Sequence, residues 1–194
     1  MHSETAHDIP RPQAARPGGS PVAVRGLALA AQVLIGLETA LQLVLAAAGG
    51  TRSTLFRVTT PLSLLLFFGS VVVFLVWFRR CRLNAELLAP GAHRYSAGWA
   101  VGAWFTPVAL LWIPRTVTLD IWRASAPAGT GVWLVNAWWA AWLAKTVGGV
   151  IVGEIGHNAY GYSVFDMAAG LGAGVLAVLL IRRLTAHQEA ALRG

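Results

Sequence analysis

The sequence predicts an all-α integral membrane protein: four transmembrane helices with a proline-broken amphipathic or re-entrant segment between the second and third. Three observations predict it. Charged residues make up only 12% of the chain against 56% hydrophobic, where soluble domains carry about 25% charged residues. Four apolar runs are each long enough, at about 1.5 Å per residue, to cross a hydrocarbon core of about 30 Å. The arginines lie between these runs and not inside them, as topology-setting residues do. At 194 residues the chain suits a single membrane domain, 22–194, preceded by a tail.

Residues 1–21 form that tail. Pro10, Pro12, Pro17, Gly18, Gly19 and Pro21 break any helix and no apolar period runs through them, which predicts disorder. The first span is 26–48, ended by Gly49-Gly50. The second is 60–78, with Pro61 expected in its first turn, where a missing N–H costs little, and Trp77 at its interface. The cluster Arg79-Arg80-Cys81-Arg82 follows, and Pro90-Gly91 breaks the chain. Between Trp99 and Ile113 lies an apolar run too short for a regular span, with Pro107 inside it and Pro114 at its end. Arg115, Asp120 and Arg123, interleaved with Val117, Leu119, Ile121 and Trp122, then read as an amphipathic surface helix. Spans at 131–153 and 163–181 complete the set, the last closed by Arg182-Arg183.

Arginine counts give the expected topology. If 97–124 stays on one face, twelve arginines share a side with both termini, while only Arg52 and Arg57 lie opposite. If 97–113 crosses, the bias falls to seven against seven. The first arrangement obeys the positive-inside rule and puts both termini in the cytoplasm. Its proline-broken backbone then needs shelter among helices, because lipid cannot satisfy free amides. The same arginines make anionic headgroups and the bilayer the expected partners. They exclude a nucleic-acid role, since no basic and aromatic surface remains once the spans are removed. Every basic residue but Lys145 is arginine, and Ala and Gly abound, a composition typical of GC-rich bacterial genomes. The expected location is therefore a bacterial cell membrane. The single Cys81 excludes a disulfide within the chain and a thiolate metal cluster.

One stretch is distinctive as a string: Arg94-Tyr95-Ser96-Ala97-Gly98-Trp99-Ala100-Val101-Gly102-Ala103-Trp104-Phe105-Thr106-Pro107-Val108-Ala109, then Pro114 and Asp120-Ile121-Trp122-Arg123-Ala124-Ser125. With Trp77 through Asn84 and Arg182-Arg183-Leu184-Thr185, it resembles the actinobacterial membrane family catalogued as domain of unknown function 4328. The resemblance covers about 77–194 and is strongest over 94–125. It implies a disordered tail and four transmembrane helices, and supplies no mechanism. Members of that family often carry Asn where this chain has Leu110, and an aromatic residue where it has Arg115, so an activity resting on that Asn would be absent here.

Candidate chemistry centres on ionisable residues within spans, which are costly there and usually have a reason to persist. Glu38 lies near the middle of the first span with Thr39 and Gln42 on its face; Lys145 lies outward of centre in the third; Asp166 lies near the outer end of the fourth. One reading is a polar pocket opening outward, with Glu38 and Asp166 as acids and Glu154 and His157 at its mouth. Carboxylates in apolar sites tend to hold their protons to higher pH and can serve as acids. The favoured reading is structural: Glu38 and Lys145 pair inside the bundle. Glu154-x-x-His157 has di-metal spacing but lacks the second such pair, so neither a metal site nor a cofactor is expected. The nine tryptophans read first as interfacial anchors and packing. Trp99, Trp104, Trp112 and Trp122, with Arg115 and Arg123, are the candidates for a groove holding a lipophilic molecule. Gly170-x-x-x-Gly174 fits close helix packing, within one chain or between two copies.

Two functions follow. The first is a non-enzymatic membrane component that senses, scaffolds or assembles, with a second copy of the chain among its candidate partners. The alternative is a small membrane enzyme for a prenyl or terpenoid substrate, for example an acid-initiated cyclase using Glu38, Glu154 and Asp166. A transporter is disfavoured by the absence of an inverted repeat.

Overall fold

The structure, a computed structural model, describes residues 21–48, 50–148 and 164–193. The expected tail, the end of the third span, Glu154 and His157 lie outside these residues.

Three described helices are long and apolar enough to cross a membrane: α1 (Arg25–Ala47), α2 (Thr54–Leu88) and α6 (Val164–Arg193). Only 11–17% of the residues in their most apolar windows are buried. Their exposed residues run in helical stripes: Leu29, Val33, Leu37 and Val44 on α1, and Val58, Leu62, Leu65, Phe68, Val72 and Val76 on α2. Apolar surface of that extent, spaced every three to four residues, demands a solvent other than water. The third expected span is described only from α5 (Trp133–Leu143) through a wider π-helical turn, Ala144–Gly148. Those 16 residues are fewer than a crossing helix needs, so among the described residues three helices are long and apolar enough to span where four were expected.

The second span begins earlier than expected. Ser53 caps α2, its Oγ accepting from the Phe56 N–H at 3.1 Å. Pro61 consequently falls two turns into the helix and not in its first turn. Thr59 and Thr60 turn their hydroxyls back onto the carbonyls of Leu55 and Phe56, 2.8 and 2.7 Å away. Such local rearrangement accompanies a membrane-helix proline. At its far end α2 runs past the arginine cluster to Leu88. Gly91 makes the exit, with φ of 71°, a conformation that suits glycine; its N–H donates to Glu86 Oε1 at 2.9 Å.

Between α2 and α5 the chain is broken as expected. A single helical turn, α3 (Trp99–Gly102), leads into short 3₁₀ turns at Ala103–Phe105 and Ala109–Leu111, and then α4 (Ile113–Ser125). Helix α4 does not lie at the surface as an amphipathic helix. Six consecutive residues, Val117 to Trp122, are buried, so all its faces are enclosed at mid-length. Two of its three charges find partners within the chain, and Arg123 is exposed. Asp120 Oδ2 accepts from the Arg94 N–H at 3.2 Å, and Arg115 donates to Asn136 Oδ1 through Nε and Nη2 at 3.1 and 2.7 Å.

The core sits at the arginine-rich end. Trp77, Phe78 and Cys81 of α2, Val117 and Ile121 of α4, Val135 and Trp138 of α5, and Ile181 and Leu184 of α6 form it. Buried polar groups tie it together. Trp77 Nε1 donates to Thr185 Oγ1 at 3.1 Å, and Gln188 Nε2 to the Cys81 carbonyl at 2.7 Å. The fully buried Asn84 clasps the backbone of Val22, accepting from its N–H at 2.8 Å and donating to its C=O at 2.9 Å.

Candidate functional site

Two regions concentrate the candidate residues. The first is a cleft of about 310 Å³ in the half away from the 79–82 arginine cluster, lined by Glu38, Thr39, Gln42 and Leu43 of α1, Phe67 of α2, Lys145 of the π-helical turn, and Asp166, Met167, Gly170 and Leu171 of α6. Glu38 is 13 residues along α1, so it lies about 20 Å from Arg25 along the helix axis.

The favoured pairing of Glu38 with Lys145 is not what forms. Lys145 Nζ donates to Asp166 Oδ2 at 2.5 Å. Both residues had been placed outward in their spans, so their matching depth carried the signal, whereas Glu38 lies nearer mid-span. Glu38 Oε1 accepts instead from Gln42 Nε2 at 3.0 Å, one turn on, and its Oε2 is buried with no hydrogen-bond partner. Small residues let the walls approach. A Cβ on Gly174 would clash with the Thr39 hydroxyl, well inside van der Waals contact, and a Cβ on Gly170 would sit 3.6 Å from the Lys145 side chain. The glycine spacing therefore serves contacts within this chain.

The second region is the broken segment. Its partners trace a dip and a return along the helices. Tyr95 is level with Arg82, whose Nη2 donates to the Tyr95 carbonyl at 2.9 Å. Trp104 packs edge-on against Phe74 and Trp142, ring centres 5.5 Å away in each case. Phe74 is eight residues from Arg82, about 12 Å deeper along α2. Arg115 then meets Asn136 near the start of α5, and Trp122 lies against His187, ring centres 4.9 Å apart, beyond Arg183. Trp104 also touches Phe78, Trp138 and Trp139, so it is the hub of an aromatic cluster.

The four candidate groove tryptophans are not brought together. Trp122 belongs to the core and Trp104 packs against that same core, but the two rings are not paired with each other, and Trp99 and Trp112 are exposed. Arg123 is exposed at the end of α4. No tryptophan lines the cleft among the described residues. Nor do the described residues gather three His, Cys, Asp or Glu side chains in a metal-binding cluster. Outside the apolar stretch of α2, the Gly91 N–H and then the Arg82 guanidinium hold the Glu86 carboxyl below its ordinary value. Sequence reasoning missed the buried Asn84 and Gln188 and the exposed Asn136, because an amide serving a backbone group or a distant arginine has no local pattern.

A family model matches residues 42–186. The match starts within the first span, well before the stretch from 77 that first suggested the likeness. No curated protein and no solved structure matches the chain. Because the matched region covers well over half of its length, the chain belongs to the family described as domain of unknown function (DUF4328).

Proposed function

We propose that the protein is a four-span component of a bacterial cell membrane that works by assembly and not by catalysis, with both ends cytoplasmic. The observation that carries this is where the packing is spent. The described core lies at the arginine-rich end, where 94–125 is wedged between α2, α4's neighbours α5 and α6, and the exit of α2. In this reading the segment is re-entrant: it dips to the depth of Trp104 and returns at Trp122. Exposed Trp99, Phe105, Val108 and Trp112 meet lipid at the interface. The remaining span of this reading is the one expected over 131–153, of which α5 and the π-helical turn are described. Arg79, Arg123, Arg182 and Arg183 face anionic headgroups and form the platform for a protein partner or a second copy.

The enzymatic alternative finds one supporting feature, Glu38 beside an apolar cleft. Against it, Asp166 is already neutralised by Lys145, and the tryptophans a cyclase would use to stabilise cations pack against one another elsewhere. Native mass spectrometry of the protein extracted in its own lipids separates the two. A protein partner or second copy at fixed stoichiometry is expected. A defined prenyl species that the protein converts into a cyclic product would sink the assembly reading.

A further inference from the structure

The cleft has a charge balance and a lining that together specify a ligand, whatever partners assemble at the other end. Three ionisable side chains line it. Lys145 and Asp166 cancel each other at 2.5 Å, which leaves the Glu38 carboxylate. One oxygen of that group accepts from Gln42; the other is buried without a partner. Every other charge-bearing side chain in the cleft is engaged, so Glu38 is the one ionisable group of the described lining without an opposite charge beside it. A carboxylate ionised in a hydrocarbon setting is costly and calls for an opposite charge.

Apart from Gln42, Gly170 and Thr39, whose hydroxyl donates to the Ile35 carbonyl, the rest of the lining is apolar: Leu43, Phe67, Met167 and Leu171. Its volume of about 310 Å³ falls at the small end of ligand sites, near 300 Å³. We infer that this cleft binds a small lipophilic amine in its ammonium form, with the cation against Glu38 and the alkyl body along Phe67, Met167 and Leu171. A carboxylate of the same size would meet Glu38 with like charge, since Lys145 is occupied. An alcohol would fill the space and leave Glu38 uncompensated. A zwitterion would bring an anion for which the cleft holds no free cation.

The test uses the full chain in nanodiscs of phosphatidylcholine and phosphatidylglycerol, titrated with octylammonium, octanol or octanoate and read by native mass spectrometry. One octylammonium per chain is expected, held at least about tenfold more tightly than octanol, with no saturable octanoate. Glu38→Gln should erase that tenfold preference. Met167→Trp should block uptake by filling the cleft while leaving the carboxylate in place, and it decides the matter if Glu38→Gln does not fold. Equal retention of octylammonium and octanol overturns the inference. So does a preference that survives Glu38→Gln, full uptake by a folded Met167→Trp, or no saturable uptake at all.

Discussion

Lys145 has two carboxylates within reach of its cleft and takes Asp166. The choice has a measurable signature. Lys145→Met and Asp166→Asn should each destabilise the protein, and the double variant should recover part of the loss, with a coupling of about 0.5–1 kcal/mol for a pair this exposed. Lys145→Met combined with Glu38→Gln should instead be nearly additive. Chemical unfolding in a defined detergent measures both cycles, and a larger coupling to Glu38 would reverse the assignment. Gly174 gives a second test. A methyl there collides with the Thr39 hydroxyl, which already bonds to the Ile35 carbonyl at 2.8 Å. Gly174→Ala should cost about 1–3 kcal/mol as overpacking does, and Thr39→Ala in the same chain should return most of it. If Gly174→Ala instead changes only the oligomeric state, the contact belongs between copies. The sequence made Glu38, Lys145 and Asp166 conspicuous, because charge in an apolar run is conspicuous. Their pairing depended on relative depth, and two spans whose ends are uncertain by a few residues leave depth uncertain by most of a turn.

At the scale of elements, the long apolar helices were legible because lipid asks only for length and hydrophobicity, and α1 falls within a residue of its expected ends. The starts and interiors were less legible. Ser53 moved the beginning of α2 back across Pro61, since one capping bond outweighs a proline that membrane helices tolerate. Helix α4 was misread because Arg115, Asp120 and Arg123 resemble a wet face, while two of them are satisfied by Asn136 and the Arg94 backbone. The dip of the broken segment predicts unequal tryptophans. Trp104→Ala should cost about 3–5 kcal/mol, the range for a large aromatic lost from a packed site, whereas Trp99→Ala should cost less than about 1 kcal/mol. Equal effects in thermal unfolding would mean that Trp104 is not the hub. The exit of α2 carries a pH dependence. Glu86 is held below its usual 4.5, so its contribution is complete above that value and is lost as the pH falls through the lower folded value. The protection of the Gly91 amide against hydrogen exchange should fall in that acid window, and should be low at all pH values in Glu86→Ala, which removes both acceptor oxygens.

At the scale of the whole molecule, packing is lopsided: dense where the arginines are, open around the cleft. Composition showed that the surface is apolar and charge counts favoured one orientation, but neither could show where the core would concentrate. That depended on a segment that is neither a span nor a loop. The orientation itself can be measured. Cys81 is fully buried, so it should give little background in labelling intact cells. Arg52→Cys should react with an impermeant maleimide from outside, and Arg123→Cys only after the membrane is opened. The opposite pattern would invert the proposed topology. The clasp that Asn84 places on Val22 has a consequence of its own. Asn84 reads an N–H and a C=O and no part of the side chain, so the clasp itself excludes only proline at position 22, which has no N–H to give. Position 22 is thus anchored by its backbone: the grip on the chain is indifferent to which side chain it carries.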